Sequence, residues 1–268
     1  MTVTSSLALI TGASAGLGAD YAHLFAADGH DVILVARRQD RLDTLAAELK
    51  EKYDVTAHVF AADLSQTDSA TTIHAFAQSL DKPVAFLVNN AGFGTTGSFA
   101  QNPVQREVDM LRVNIESLVH LTGLFLPAMV ENRFGRILNI GSTAGFQPGP
   151  NMATYYATKA FVNHFTEALS ADLQGTGVTA TVSCPGPTLT EFGEVSGNGK
   201  SALFQMTAAS SDKVALHGYR AMMKGTPLAI YGLSNQLGVQ SLRLAPRSLV
   251  RKVTQFLNQV PDSHPSND

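Results

Sequence analysis

The chain carries one cysteine, Cys184, and no tryptophan. A lone thiol excludes an intrachain disulfide framework and any zinc site built from cysteines. The missing tryptophan bears on no function. Charge is scarce: only 15% of residues are Asp, Glu, Lys or Arg, and 19 cations against 22 anions leave a net −3. That balance argues against a broad nucleic-acid-binding face and leaves room for a local basic pocket. No basic segment with a long apolar run opens the chain, so no signal peptide is expected. The most apolar later stretch, 118–130, is too short to span a bilayer and contains His120 and Pro127. Repeats, low-complexity tracts and Pro/Ser-rich linkers are also missing. An apolar share of 44% is enough for a sizeable core. The expectation is a soluble, cytoplasmic protein, one domain over residues 1–268.

What is present alternates. Apolar runs at 7–10, 32–36, 55–61, 84–89, 136–140, 178–184 and 228–231 read as strands. Amphipathic stretches at 15–28, 40–52, 67–80, 103–132 and 153–174 read as helices; Leu42, Leu45 and Leu49, for example, fall at i, i+3 and i+7. Nearly continuous apolar strands separated by helices indicate a parallel sheet covered on both faces. The expected fold is α/β: one doubly wound domain with a seven-stranded parallel sheet flanked by helices. Residues 191–225 break the alternation and read as an inserted lid between strands six and seven, ending in a short helix at 211–223. The segment 242–260 sets Arg243, Arg247, Arg251 and Lys252 among leucines and valines. It reads as a terminal helix packed on its own domain, with contact to a membrane surface or partner the lesser alternative.

The first strand runs into Thr11-Gly12-Ala13-Ser14-Ala15-Gly16-Leu17-Gly18 and then a helix. A strand, a glycine turn and a helix N-terminus make an anion site: free N–H groups point outward, the helix dipole favours negative charge, and glycine lets a diphosphate approach. The spacing is T-G-x-x-x-G-x-G. Further along stand Asn89-Asn90-Ala91-Gly92 after the fourth strand, Asn114, Ser142, Tyr155 and Lys159 in Y-x-x-x-K spacing, and Pro185-Gly186 after the sixth strand. In this order the segments resemble the classical branch of the short-chain dehydrogenase/reductase family, strongly from residue 7 to about 190 and loosely beyond.

The second strand ends in Ala36-Arg37-Arg38. An acidic residue there would grip the two ribose hydroxyls of NAD. Two arginines suit a 2′-phosphate instead, and without one they would stand at a helix N-terminus that disfavours cations. NADP(H) is therefore expected, with Arg37 the first choice, Arg38 beside it and Ser14 assisting. The resemblance implies that Asp63 and Leu64 contact the adenine. It places Asn90, Ala91 and Gly92 under the adenosine ribose, and Pro185, Gly186, Thr188 and Thr190 at the nicotinamide. Asp63 has an alternative as a helix N-cap, and Asn89 one as a bond across strands.

Hydride transfer to a carbonyl leaves an alkoxide that needs a proton. A tyrosine supplies it if a nearby ammonium lowers its pKa. Four residues along a helix put Tyr155 and Lys159 on one face, although Tyr156 is only three from Lys159; the family spacing selects Tyr155. The resemblance further implies that Ser142 holds the substrate oxygen, that Lys159 also bonds the nicotinamide ribose, and that Asn114 kinks its helix around a proton relay. No metal is expected.

Pocket candidates are Phe93, Gly94, Phe146, Gln147, Pro148, Phe192, Leu203, Phe204 and Met206, which favour a ketone or aldehyde with an apolar body. The family pairs subunits through the two long helices, so a homodimer or homotetramer is expected. Leu111, Ile115, Leu118, Phe161, Phe165 and Leu169 could serve either the sheet or a partner. The expected activity is NADP(H)-dependent hydride transfer between a carbonyl and a secondary alcohol. The alternative is a catalytically silent NADP(H)-binding sensor; a nucleotide-sugar epimerase is disfavoured by the small lid.

Overall fold

The computed structural model describes residues 6–199, 201, 204 and 208–259. The strands β1 (Leu7–Thr11), β2 (Asp31–Ala36), β3 (Ala57–Ala61), β4 (Val84–Asn89), β5 (Gly135–Ile140) and β6 (Val178–Cys184) form one sheet with a last strand, Leu228–Ile230. All neighbours are parallel, and the order is β3-β2-β1-β4-β5-β6 followed by that last strand. The strand order reverses between β1 and β4. Such a switch point opens a crevice at the C-terminal strand ends.

Period-two alternation decides which layer each strand residue serves. Ala8 and Ile10 face α1 (Gly16–Ala27) and α2 (Gln39–Tyr53), together with Val32, Leu34 and Leu138. Leu7 and Leu9 point the other way, with Ile33, Val35 and Ile137, toward α3 (Ser69–Gln78) and α5 (Ser117–Glu131). The helix α6 (Ala153–Asp172) covers the same side further along, where Val162 meets Leu118, Val182 and Cys184.

Three elements depart from the sequence expectation in ways that matter for the site. The long helix begins as α4 (Val104–Leu111), widens into a π-turn at Arg112–Glu116 and continues as α5. At 28 residues, Val104–Glu131 is long and apolar enough to cross a membrane by length and composition, unlike the 13 residues of 118–130. Here Leu118, Leu121, Phe125 and Met129 bury one side of it in the protein. Second, α3 starts at Ser69 because the preceding residues make their own turn: Asp63 Oδ1 accepts from the Ser65 N–H and hydroxyl, and Ser69 Oγ donates to the Asp63 carbonyl. Asp63 is thus an Asx-turn residue and not the helix N-cap. Third, the segment 191–225 divides. Its second half is the helix Ser211–Lys224, whose Val214, Ala215, Gly218, Tyr219, Ala221 and Met222 are buried. Ala215, Tyr219 and Met222 pack into the α1 side of the core. Two short parallel strands, Thr188–Leu189 and Ala209–Ser210, bracket the first half. Leu203 and Met206 lie outside the described residues.

Candidate active site

At the switch point, β1 ends in the glycine turn. Gly12 has φ +66° and Gly16 φ +54°, left-handed values that favour glycine. The turn is braced from β4. Asn90 Nδ2 donates to the Thr11 carbonyl at 2.9 Å, and the Asn90 and Ala91 N–H groups both donate to Thr11 Oγ1 at 3.0 Å. Asn90 therefore spends its side chain on the turn, while Asn90, Ala91 and Gly92 all line the cavity beside it. Asn89 does bond across strands, donating to Asn139 Oδ1 at 2.9 Å. The first turn of α1 has no side-chain cap and no acidic residue, so its N–H groups and dipole are left for an anion.

A cavity of about 760 Å³ runs from Gly12, Ser14, Gly16 and Leu17 past Arg37, Arg38 and Asp63 to Tyr155. Ser14 Oγ accepts from Arg38 Nε at 3.3 Å and Nη2 at 3.0 Å. Arg37 is exposed; its charge acts on Asp63. Burial works to raise the Asp63 carboxyl, but the Ser65 hydrogen bonds and Arg37 outweigh it and hold the pKa low. Leu64 buries its side chain in the core beside Val35 and Ile73, leaving its backbone for the cavity.

The reactive end gathers residues from four elements. Ser142, just past β5, accepts from the Ala144 N–H at 3.0 Å and so caps the turn Thr143–Phe146. Its hydroxyl also shares a hydrogen bond with Tyr155. Tyr155 and Lys159 lie on one face of α6, with Lys159 Nζ 5.8 Å from the Tyr155 ring centre. Lys159 is buried and donates to the Ile140 carbonyl at 2.7 Å. Burial lowers its pKa to about 8. Burial also drives the Tyr155 phenol above its ordinary range, and only the Ser142 bond opposes it strongly. The sequence argument expected the ammonium to lower the phenol. Here the ammonium points at a backbone carbonyl and burial dominates.

Asn114 sits in the π-turn. Its Oδ1 accepts from the Phe93 N–H at 3.1 Å, while Nδ2 donates to the Phe93 carbonyl and to Thr158 Oγ1, both at 3.0 Å. Bonding the loop after β4 at both ends turns this side chain inward, and the extra residue of the π-turn accommodates that. Gly92 allows the approach: a Cβ there would stand 3.2 Å from Asn114 Oδ1 and 3.6 Å from Lys159 Nζ. Past β6, Pro185 and Gly186 line the cavity. Thr188 Oγ1 donates to the Gly186 carbonyl at 3.0 Å and Thr190 Oγ1 accepts from the Phe192 N–H at 3.2 Å, so both hydroxyls brace this loop.

Of the pocket candidates within the described residues, Phe93, Gln147, Phe192 and Phe204 line the cavity. Phe192 stands 5.2 Å from Tyr155, ring centre to ring centre. Gly94 lies under Phe192, and Phe146 packs against the Leu118–Val162 core instead. Several lining residues escaped the sequence reading, Met152, Glu191, Asn198 and Asn258 among them. Asn258, at the end of the helix Arg247–Leu257, is buried; it accepts from Tyr156 Oη and donates to the Pro150 carbonyl, both at 3.0 Å. Tyr156 is thereby engaged away from Lys159. The signal was present as Val250, Thr254 and Asn258 at i, i+4 and i+8.

A crevice that suits a diphosphate at one end and holds a hydroxyl-and-amine group at the other defines a class, the dinucleotide-dependent dehydrogenases and reductases. The chain belongs to the short chain dehydrogenase family, whose sequence model matches residues 6–201. It is 39% identical over 205 residues to sulfoacetaldehyde reductase 2 of Chromohalobacter salexigens, covering 74% of this chain and 79% of that protein. It is 36% identical over 177 residues to a very-long-chain 3-oxoacyl-CoA reductase of Phaeosphaeria nodorum; the match covers 64% of this chain but only about half, 51%, of that relative. A short-chain dehydrogenase from Sphingobium yanoikuyae, solved in complex with NADPH, superposes with a TM-score of 0.81 over 98% of this chain and 99% of its own, at 29% identity.

Proposed function

We propose that the chain is an NADP(H)-dependent oxidoreductase acting between a carbonyl and a secondary alcohol carbon of a mostly apolar small molecule. One observation carries this reading: a single cavity joins the Ser14–Arg38 pair and the glycine turn to the group of Ser142, Tyr155 and Lys159. The residues present fit a phosphorylated dinucleotide. Its diphosphate would take the uncapped N–H groups of α1 and its 2′-phosphate the Arg38 guanidinium, with Arg37 alongside. Arg38 replaces Arg37 as the first choice because it is the one already fixed on Ser14. When bound, the cofactor supplies or accepts the hydride. Tyr155, held protonated by its burial, donates a proton to the substrate oxygen in the reducing direction. Ser142 fixes that oxygen beside it, and Lys159 sits behind Tyr155 to return the proton. Asn114 orders the loop between them. The Sphingobium yanoikuyae complex with NADPH and the reductases among the relatives support the same cofactor and reaction type. The lining aromatics Phe93, Phe192 and Phe204 support an apolar substrate body.

A homodimer or homotetramer built on the two long helices belongs to this reading. Leu118 is spent on the core, whereas Leu111 and Phe161 remain exposed, and Phe161 stacks on Phe165 with centres 5.7 Å apart.

Two results test the reading. Arg38→Gln is expected to weaken NADPH about ten- to a hundredfold, the worth of a charge-assisted hydrogen bond, with NADH changed by less than about twofold. Steady-state kinetics with both cofactors measures this, and a wild-type preference for NADH would refute it. Second, Lys159 loses its proton on passing about pH 8, below the ordinary range of lysine. Carbonyl reduction should therefore hold level on the acid side and fall above that pH. A kcat/KM profile level to pH 10 would deny Lys159 its role.

A further inference from the structure

The phosphate end of the cavity is already bridged by an anion of the chain's own. Glu191 follows Thr190 on the loop after β6, 153 residues from Arg38 in sequence. Its Oε2 accepts from Arg38 Nη1 at 2.8 Å, and its Oε1 pairs with Arg41. Arg38 thus shows one edge, Nε and Nη2, to Ser14 and its remaining donor group to Glu191. Both Glu191 and Arg38 keep 40% of their side-chain surface in contact with solvent. An ion pair that open is weak and exchangeable. A phosphate monoester carries close to two negative charges and three acceptor oxygens, so it binds a guanidinium more strongly than a carboxylate does. Two anions on one guanidinium also repel each other.

We infer that Glu191 is an internal competitor for the 2′-phosphate, occupying Arg38 until that phosphate displaces it, and so sets how strongly the site discriminates phosphorylated from unphosphorylated dinucleotide. This rests on the cofactor reading above. The competition also couples the two ends of the cavity. Glu191 immediately precedes the short helix Phe192–Ser196, whose Phe192 lies against Tyr155. Seating the phosphate frees the start of that helix, the piece of chain that covers the reactive tyrosine.

The test is calorimetric binding of 2′,5′-ADP and of 5′-AMP to the full chain and to its Glu191→Gln variant. The amide keeps the shape and removes the charge. The variant should bind 2′,5′-ADP about fivefold more tightly, the size of a part-exposed ion pair, with 5′-AMP unchanged within about twofold. Unchanged 5′-AMP binding shows that the variant site is folded. If the wild type prefers 2′,5′-ADP but Glu191→Gln leaves that preference equal or lowers it, Glu191 orients Arg38 rather than competing for it, and the inference fails while the cofactor reading stands. If the wild type shows no preference for 2′,5′-ADP, the cofactor reading fails and takes this inference with it.

Discussion

Tyr155→Phe is expected to lower carbonyl reduction by about two to four orders of magnitude, the range a positioned general acid contributes. Binding of NADPH should stay within about twofold of wild type. The phenyl ring keeps its place beside Phe192, and the loss is one hydroxyl. Ser142 does not become an orphan, because its Oγ still accepts from Ala144 and reaches the Pro185 carbonyl at 3.4 Å. The variant should therefore fold normally, which separates this result from a structural defect. Tyr156→Phe is the informative control. That hydroxyl serves Asn258 and not the cavity's reactive end, so its loss should cost far less turnover. If Tyr156→Phe were the more impaired variant, the family spacing would have selected the wrong tyrosine. Stopped-flow absorbance with a saturating ketone reads both.

The second large effect is expected at Gly18. A Cβ there would stand 2.2 Å from the Gly12 carbonyl oxygen and 2.7 Å from Asn90 Nδ2. The oxygen is backbone and cannot swing aside as a flexible side chain would. Gly18→Ala must push α1 away from the turn, straining Gly12 and the Asn90 brace together. Overpacking of this kind costs about 1–3 kcal/mol, a fall of several degrees in Tm for a domain of this size. Because the displaced turn is the diphosphate cradle, dinucleotide affinity should fall by about a hundredfold or more, a larger relative loss than the stability change. Gly29→Ala makes the comparison, since no atom of the described residues lies within 4 Å of a Cβ there. Gly29 has a positive φ, +80°, so Gly29→Ala carries backbone strain without the clash, whereas Gly18 lies inside α1 without a positive φ and Gly18→Ala carries the clash alone. Thermal unfolding and fluorescence titration with NADPH would distinguish the two.

What the sequence made legible was local. Runs such as Leu7–Thr11 and Val32–Val35 have too many large apolar side chains in a row for a half-exposed strand, and that alone implied a covered parallel sheet. The glycine positions, the four-residue step from Tyr155 to Lys159 and the paired arginines are likewise short-range patterns. The structure redirected readings that depend on distant partners. Asn114 needs a π-turn because it bonds Phe93, 21 residues back in the chain. Asn258 enters the cavity from a helix end 102 residues beyond Tyr156. Glu191 meets Arg38 only because the fold brings two loops to the same crevice. The helix Ser211–Lys224 read as the end of a lid because its apolar face is obvious while the surface it covers is not. The phenol was expected to be acidified by a neighbouring charge, but helix spacing fixes which residues are close and says nothing of where an amine points. Lys159 turns to the Ile140 carbonyl, and burial then governs both pKa values.

The most direct measurement follows the transferred atom. The enzyme is mixed with NADPH deuterated at C4 of the nicotinamide and with a panel of apolar ketones and aldehydes, and the alcohol products are read by mass spectrometry. One deuterium on the carbinol carbon of at least one product, dependent on Tyr155, is the expected result. NADPH that binds tightly yet leaves every carbonyl without deuterium would contradict it and point to a protein that holds the dinucleotide without using it.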